Sequence, residues 1–182
     1  NDLDIPALEA LEDSLDEFPG AVVIVSHDRE MMNRLCTEVI GLDGDPKVLE
    51  IGRAKAAKAG VTITLDHGMA FQLPYPDNSF DRVLSSLVLH HLTSENKQRA
   101  LQQVHRVLRP GGELSVVDFG PPHSAYARLL SPLARRLEQA ADNVNGLLPK
   151  MMRRAGFEQI EEPTHYTTLF GDLSLVRARK RD

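Results

Sequence analysis

The feature that most limits the folds open to this chain is its hydrophobic period, which switches repeatedly between helix-like and strand-like over short distances. Ile5, Leu8, Leu11, Leu15 and Phe18 recur at three- and four-residue steps. They line one face of a helix that begins near Asp4 and Pro6 and is stopped by Pro19-Gly20. Residues 21–25 are too few and too β-branched for a core helix, so they predict a fully buried strand. Ser26, His27 and Asp28 can cap a second helix with Met31, Met32, Leu35 and Cys36 on its apolar face, and residues 39–42 predict another buried strand. Asp43 to Pro46 then turns the chain into a third helix, which ends at Gly60 as a left-handed C-cap ahead of a strand over 61–65.

The alternation continues to the end of the chain. Pro74, Pro76, Asp77 and Asn78 mark a loop before a strand over 80–86. Leu101, Val104 and Leu108 share one face of a helix over 94–108, and Arg109-Pro110-Gly111-Gly112 reads as a sharp turn. A strand over 113–119 ends in Gly120-Pro121-Pro122, and a polar helical stretch runs on to about Asp142. A short helix around Met151 is stopped by Gly156, and strands over 158–168 and 172–179 close the chain. Strands alternating with helices through short connections mean an α/β fold on a mostly parallel sheet with helices on both faces. The last two strands have no helix between them, so an antiparallel hairpin is expected. With no repeat, low-complexity tract or linker in view, residues 1–182 read as one domain.

Composition narrows the class. At 182 residues with 42% hydrophobic and 26% charged side chains, the chain can bury a core and is neither disordered nor fibrous. Cys36 is the only cysteine, which excludes a disulfide scaffold and fits a reducing, cytoplasmic compartment. A net charge of −5 argues against a domain-wide nucleic-acid footprint, and the cationic run at residues 177–181 reads as a solvated terminus. No apolar run is long enough for a membrane span, and Asn1-Asp2-Leu3-Asp4 does not resemble a signal peptide. The absence of an initiator Met suggests a trimmed or excised segment. His27, His67, His105, His123 and His165 are scattered without metal-ligand spacing, so no metal is expected. Ligands of open α/β sheets bind outside the carboxyl ends of the strands. Asp43 stands at such an end, where a carboxylate can accept hydrogen bonds from both hydroxyls of a ribose. Alternatively, Asp43 or Asp45 only caps the helix that follows.

Several stretches in order carry a likeness: Gly68-Met69-Ala70, residues 73–83, residues 87–92 with His90-His91, residues 106–112, Val116-Val117-Asp118-Phe119, and Ala155-Gly156-Phe157. Together they resemble the class I S-adenosylmethionine-dependent methyltransferases, in the small-molecule group (type 11) related to the ubiquinone and menaquinone methyltransferases. The likeness runs from about Val39 to Lys180. It implies a Rossmann-like sheet, S-adenosylmethionine as cofactor and a small-molecule methyl acceptor. It also implies that Asp43, with Gly44 beside it, holds the ribose hydroxyls and that Met69-Ala70 lies beside adenine. Many members carry Asp before that Ala. A thioether is a poor acceptor, so adenine would pack on Met69 and bond to backbone groups. Ser85 and Ser86 match the strand end near the methionine part of the cofactor, and His90 and His91 match a pair near the substrate mouth. Either histidine could act as a general base for a hydroxyl acceptor, or serve only in packing. Transfer from a sulfonium depends chiefly on in-line positioning, so no catalytic residue is assigned.

The family's Gly-rich loop, expected upstream of Asp43, is not in the sequence. Glycines there let the backbone approach the cofactor at a helix N-terminus, and Ser26-His27-Asp28 stands in their place. The head has another likeness. Residues 1–12 and 18–29 resemble ATP-binding-cassette ATPases, with residues 1–4 like the D-loop and Ser26-His27-Asp28 like the switch-histidine segment. The P-loop lysine, the metal-holding carboxylates and the signature loop of those ATPases are missing. The expectation is therefore a chimera, with an ATPase-like head over 1–38 and a methyltransferase-like body over 39–182, whose borrowed strand at 21–25 takes the central parallel position. Three functions stay open: a methyltransferase-like domain, a catalytically inactive chimera, and a nucleotide-binding fragment that uses His27.

Overall fold

A computed structural model describes residues 22–26, 39–59, 63–122, 138–168 and 171–182. The expected first two helices, the Gly60 cap and most of the stretch between Pro122 and Glu138 lie outside them. The described elements are β1 (Val22–Ser26), β2 (Val39–Asp43), α1 (Pro46–Ala59), β3 (Thr64–His67), β4 (Phe80–Ser86), a 3₁₀ turn (Leu89–His91), α2 (Ser94–Val107), β5 (Leu108–Phe119), α3 (Glu138–Val144), α4 (Leu148–Ala155), β6 (Phe157–Thr168) and β7 (Gly171–Lys180).

The strands form one seven-stranded sheet in the order β3-β2-β1-β4-β5-β7-β6. β1 lies in its interior, parallel to β2 through Val22–Val39 and parallel to β4 through Val22–Arg82. β2 pairs in parallel with β3 and β4 with β5, whereas β7 runs antiparallel to both β5 and β6. The sheet therefore grows from β1 in one direction through β2 and β3, then in the other through β4 and β5. Right-handed crossovers place α1 and α2 on opposite faces when the direction of growth reverses. The reversal also opens a crevice at the carboxyl ends of β1 and β4, where open α/β sheets bind ligands. The strand expected at 21–25 occupies the central position foreseen for it.

Helix α2 shows how sequence becomes core. The Thr93 hydroxyl accepts from the Asn96 amide at 3.3 Å as the N-cap, and Glu95 stands in the first turn, where the helix dipole favours an acid. Ala100, Leu101, Val104 and Val107 follow at helical spacing, and all are buried. They join Val83, Leu114, Val116, Met152, Val176 and Ala178 in one core cluster against the sheet. Each fully buried Leu or Val there contributes about 1.5–3 kcal/mol. Helix α4 stops at Gly156 as expected, in a left-handed cap with φ 102°, and β6 begins at the next residue.

Three boundaries differ from the sequence reading. The helix expected over 94–108 stops at Val107, because Leu108 is already extended and fully buried in β5. The turn at Arg109–Gly112 survives inside β5 as a bulge. The register jumps there from Phe80–Leu108 to Arg82–Glu113, and Gly111 has φ 73°. β3 lies later than the 61–65 strand because it pairs up to the end of β2, placing His67 beside Asp43. The cationic run at the end of β7 is also more engaged than a solvated terminus. Lys180 donates to the Leu108 carbonyl at 2.7 Å, and Arg179 and Arg181 meet Glu113 and Glu158 at 3.5 and 3.8 Å. No described helix is long and apolar enough to cross a membrane.

Two outcomes are expected from this packing. Val23 is paired on both sides, with Ile40 and Val83, so Val23→Pro removes a ladder bond in the sheet interior. That variant should lose its cooperative urea transition; an unchanged midpoint would place β1 outside the load of the fold. At the foot of α2, burial and the Lys180 ammonium hold the His105 imidazole below its ordinary value of 6.5, against a backbone bond at Gly156. The unfolded chain then binds a proton that the native state refuses. Stability is full above pH of about 6.5 and falls as pH drops toward the lower native value. Urea midpoints at pH 7.5 and 5.5 should diverge less in His105→Gln than in the parent.

Candidate functional site

The site is built at the carboxyl edge of the sheet. β2 ends at Asp43, whose Oδ1 accepts from the Asp45 amide at 2.7 Å, while Asp45 Oδ1 accepts from the Lys47 amide at 2.9 Å. Asp45 is thus the cap of α1, and Asp43 shapes the turn before it. The Gly68 amide donates to the Asp43 carbonyl at 3.1 Å, and His67 Nε2 lies 3.1 Å from the Gly44 carbonyl, which binds the turn after β2 to the turn after β3. Met69 packs close over Gly44: a Cβ there would stand 3.0 Å from the Met69 sulfur, at the end of a flexible side chain.

These turns enclose a cavity of about 160 Å³ whose lining includes Asp43, Gly44, Met69, Ala70, Phe71 and His91. Met69 is 47% exposed at its rim. The loop that follows, residues 73–77, is tied to α2 by Arg106. Its guanidinium donates to the Tyr75 and Leu73 carbonyls at 2.7 and 3.0 Å and to Asp77 Oδ1 at 2.8 Å. Tyr75 in turn donates to Asp66 Oδ2 at 3.0 Å. Burial and that carboxylate raise the Tyr75 pKa well above the ordinary tyrosine value, so it remains a donor.

Four of the residues singled out from sequence, Asp43, Gly44, Met69 and Ala70, meet around this one cavity. Ser85 and Ser86 do not line it. They are buried at the end of β4, where Ser86 pairs with Ser26 and Val117. β1 separates that strand end from the end of β2, a distance of two strand spacings or about 10 Å. Among the described residues the Ser85 hydroxyl has no hydrogen-bond partner.

The two histidines behave differently. His91 lines the cavity, whereas His90 turns inward to Asp118 at the end of β5. Its Nδ1 lies 2.8 Å from Asp118 Oδ1, its amide donates to Oδ2 at 3.2 Å, and the Phe119 amide donates to Oδ1 at 2.8 Å. Asp118 is only 1% exposed, and these donors offset the cost of burying its charge. An ionised carboxylate only accepts, so Nδ1 carries the His90 proton and Nε2 is left as the basic nitrogen. The imidazole stands edge-on to Phe119, with ring centroids 4.8 Å apart, and lies tilted by 42° against His91 at 3.9 Å.

Asp118 was part of a quoted motif but carried no role. An acid at the end of a buried strand was the available signal. Lys97 gave none, since it reads as a surface lysine of α2. In the fold it is fully buried, with Nζ 3.4 Å from Asp142 Oδ2. Burial lowers the pKa of its ammonium, opposed by Asp142 and Asp118. Among the described residues no group of three or more His, Cys, Asp or Glu side chains could hold a metal.

Comparison with known proteins identifies the family. The methyltransferase domain profile matches residues 25–116, so the match starts inside β1, upstream of the 39–180 likeness read from motifs. The chain is 30% identical to a demethylmenaquinone methyltransferase of Listeria monocytogenes, covering 70% of this chain and 62% of that protein. It is 31% identical to a ubiquinone/menaquinone biosynthesis C-methyltransferase of Salmonella paratyphi B, covering 79% and 64%. The chain thus spans a little under two thirds of the length of these curated relatives. Among solved structures, the YcgJ protein of Bacillus subtilis superposes with a TM-score of 0.77 at 16% identity, covering 98% of this chain and all of that one. The [4+2]-cyclase SpnF superposes at 0.72 and 17% identity, covering 95% and 80%. A cyclase on the same scaffold shows that these superpositions speak for the fold alone. The Rossmann-like sheet with its terminal antiparallel hairpin and the profile match over half its length together establish that the chain belongs to the methyltransferase domain family, within the class I S-adenosylmethionine-dependent methyltransferases.

Proposed function

We propose that the chain binds S-adenosylmethionine across the carboxyl ends of β2, β1 and β4 and directs its methyl group to a small molecule. The observation that carries this reading is the meeting of Asp43, Gly44, Met69 and Ala70 around one cavity at the end of β2. In it, Asp43 accepts from the ribose hydroxyls, Gly44 keeps the approach open, and adenine lies against Met69 and Ala70. At about 160 Å³ the cavity is smaller than the ~300–1,000 Å³ of a complete small-molecule site, so it suits the nucleoside end alone. Ser85 and Ser86, two strand spacings away at the end of β4, are read as standing by the methionine end. When bound, the cofactor supplies an electrophilic methyl group on a sulfonium.

The acceptor is read as a ring-bearing small molecule, in line with the quinone names of the relatives. Methylating a neutral O–H, N–H or C–H position releases a proton. The reading gives that proton to Nε2 of His90, supported by the Asp118 carboxylate that holds the ring through Nδ1. We read residues 1–182 as one domain, supported by β1 pairing with the body's β2 and β4. The finer reading of 1–38 as an ATPase-derived head rests on its sequence likeness and on the absence of any glycine between Ala21 and Ile40. That absence favours weak cofactor binding, and an inactive chimera or a nucleotide-binding fragment using His27 remain the rival readings.

Calorimetric titration separates them. Submillimolar S-adenosylmethionine binding that Asp43→Ala weakens by roughly 10- to 100-fold, the worth of a charge-assisted hydrogen bond, is the expected result. No heat at millimolar ligand points to the inactive chimera, and ATP binding that depends on His27 points to the fragment. For the histidine, His90→Gln and Asp118→Asn should each leave cofactor affinity within about twofold while cutting methyl transfer to a demethylmenaquinone probe by about 10²-fold or more. Equal losses in affinity and transfer would reduce the pair to a packing role.

A further inference from the structure

A second cavity, of about 440 Å³, opens between the N-terminal half of α2 and α4. It shares no lining residue with the cavity at Asp43, and its volume falls in the range of small-molecule sites. Its charge balance is unusual for a chain of net charge −5. The acids in its wall are already committed: Glu95 to Arg99 at 2.9 Å, and Asp142 to Lys97 and to the Ser94 hydroxyl. Two wall cations, Lys150 and Arg154, are exposed and enter no ion pair or hydrogen bond among the described residues. Arg154 stands in the last turn of α4, where the helix dipole welcomes a cation. Lys150 stands in the first turn, where the dipole opposes one. Local helix energetics therefore do not account for it.

Lys150 and Arg154 are one turn apart, which puts their stems on one face about 6 Å from each other. Leu147 and Met151, also one turn apart, line the same cavity, and Leu147 is 39% exposed. α4 thus presents a cation pair beside an apolar pair in a concavity. We propose that this cavity binds a small amphipathic carboxylate, its anion shared between Lys150 and Arg154 and its apolar body laid on Leu147 and Met151. Charge-assisted bonds from two donors fix the head, and desolvation of the apolar body adds affinity. The site is independent of the methyl-donor cavity and of what that cavity binds.

Octanoate titrated into the ¹⁵N-labelled full chain, followed by amide shifts, tests this, with 1-octanol as the uncharged control. Saturable shifts confined to α2 and α4 are expected. They should weaken roughly tenfold or more in the Lys150→Gln/Arg154→Gln double variant and in Leu147→Asp, and persist in Asp43→Ala. 1-Octanol should bind roughly tenfold more weakly, and added salt should weaken octanoate alone. Octanoate affinity indifferent to the double variant, equal binding of 1-octanol, or shifts centred on Asp43 and Met69 would overturn the proposal. The altered side chains are exposed or rim positions, so the variants are expected to fold.

Discussion

The parallel ladder that holds β1 between β2 and β4 is the interaction on which the rest of this structure depends. Without it, β2 and β3 share no sheet with the β4-β5-β7-β6 half. An interior strand must have its amides and carbonyls satisfied on both edges, because water cannot reach them. The run Val22-Val23-Ile24-Val25 meets that demand by being short, β-branched and uncharged. A segment without the family's glycine loop thereby takes the central place. It brings the ends of β2 and β4 to either side of the end of β1, and those ends carry Asp43 and Ser86.

The carboxyl edge concentrates polar groups that the core elsewhere excludes. Asp118 is nearly sealed from solvent and tolerated because the His90 and Phe119 amides and the His90 ring all donate to it. Lys97 is sealed as well, opposite Asp142. Buried charges of this kind are weak sources of stability, since desolvation offsets most of the attraction. What they fix is orientation. Asp118 sets the tautomer of His90, and Lys97 ties α2 to α3, which packs on the Leu89–His91 turn. The adjacent histidines consequently have different tasks, one facing the acid and one facing the cavity.

Much of the fold was legible from local pattern. Residues 80–86 form the strand their composition demands, α2 follows its apolar face from Ser94, and Gly156 stops the short helix around Met151. The departures share one cause. Arg109–Gly112 looks like a free turn until Leu108 and Glu113 both find partners on β4, which absorbs the turn as a bulge. β3 lies later than its own hydrophobic run because the end of β2 sets where pairing stops. Local sequence has no term for a neighbour that pairs from beyond the next helix, as Asp43 does with His67 and Phe80 with Leu108.

The site divides along the same line. From sequence alone came the α/β class, the strand end at Asp43, the Met69-Ala70 pair and the missing glycine loop, because each is a statement about neighbours along the chain. The tertiary structure decided that Asp43 and Met69 share a cavity, that Ser85 and Ser86 stand apart from it, and that Asp45 is the helix cap. It also decided that His90 belongs to Asp118, twenty-eight positions away, and that Lys97 is buried. Desolvation and hydrogen-bond geometry arise only when distant segments meet, so the chemistry of these side chains was settled by what the sheet brought beside them.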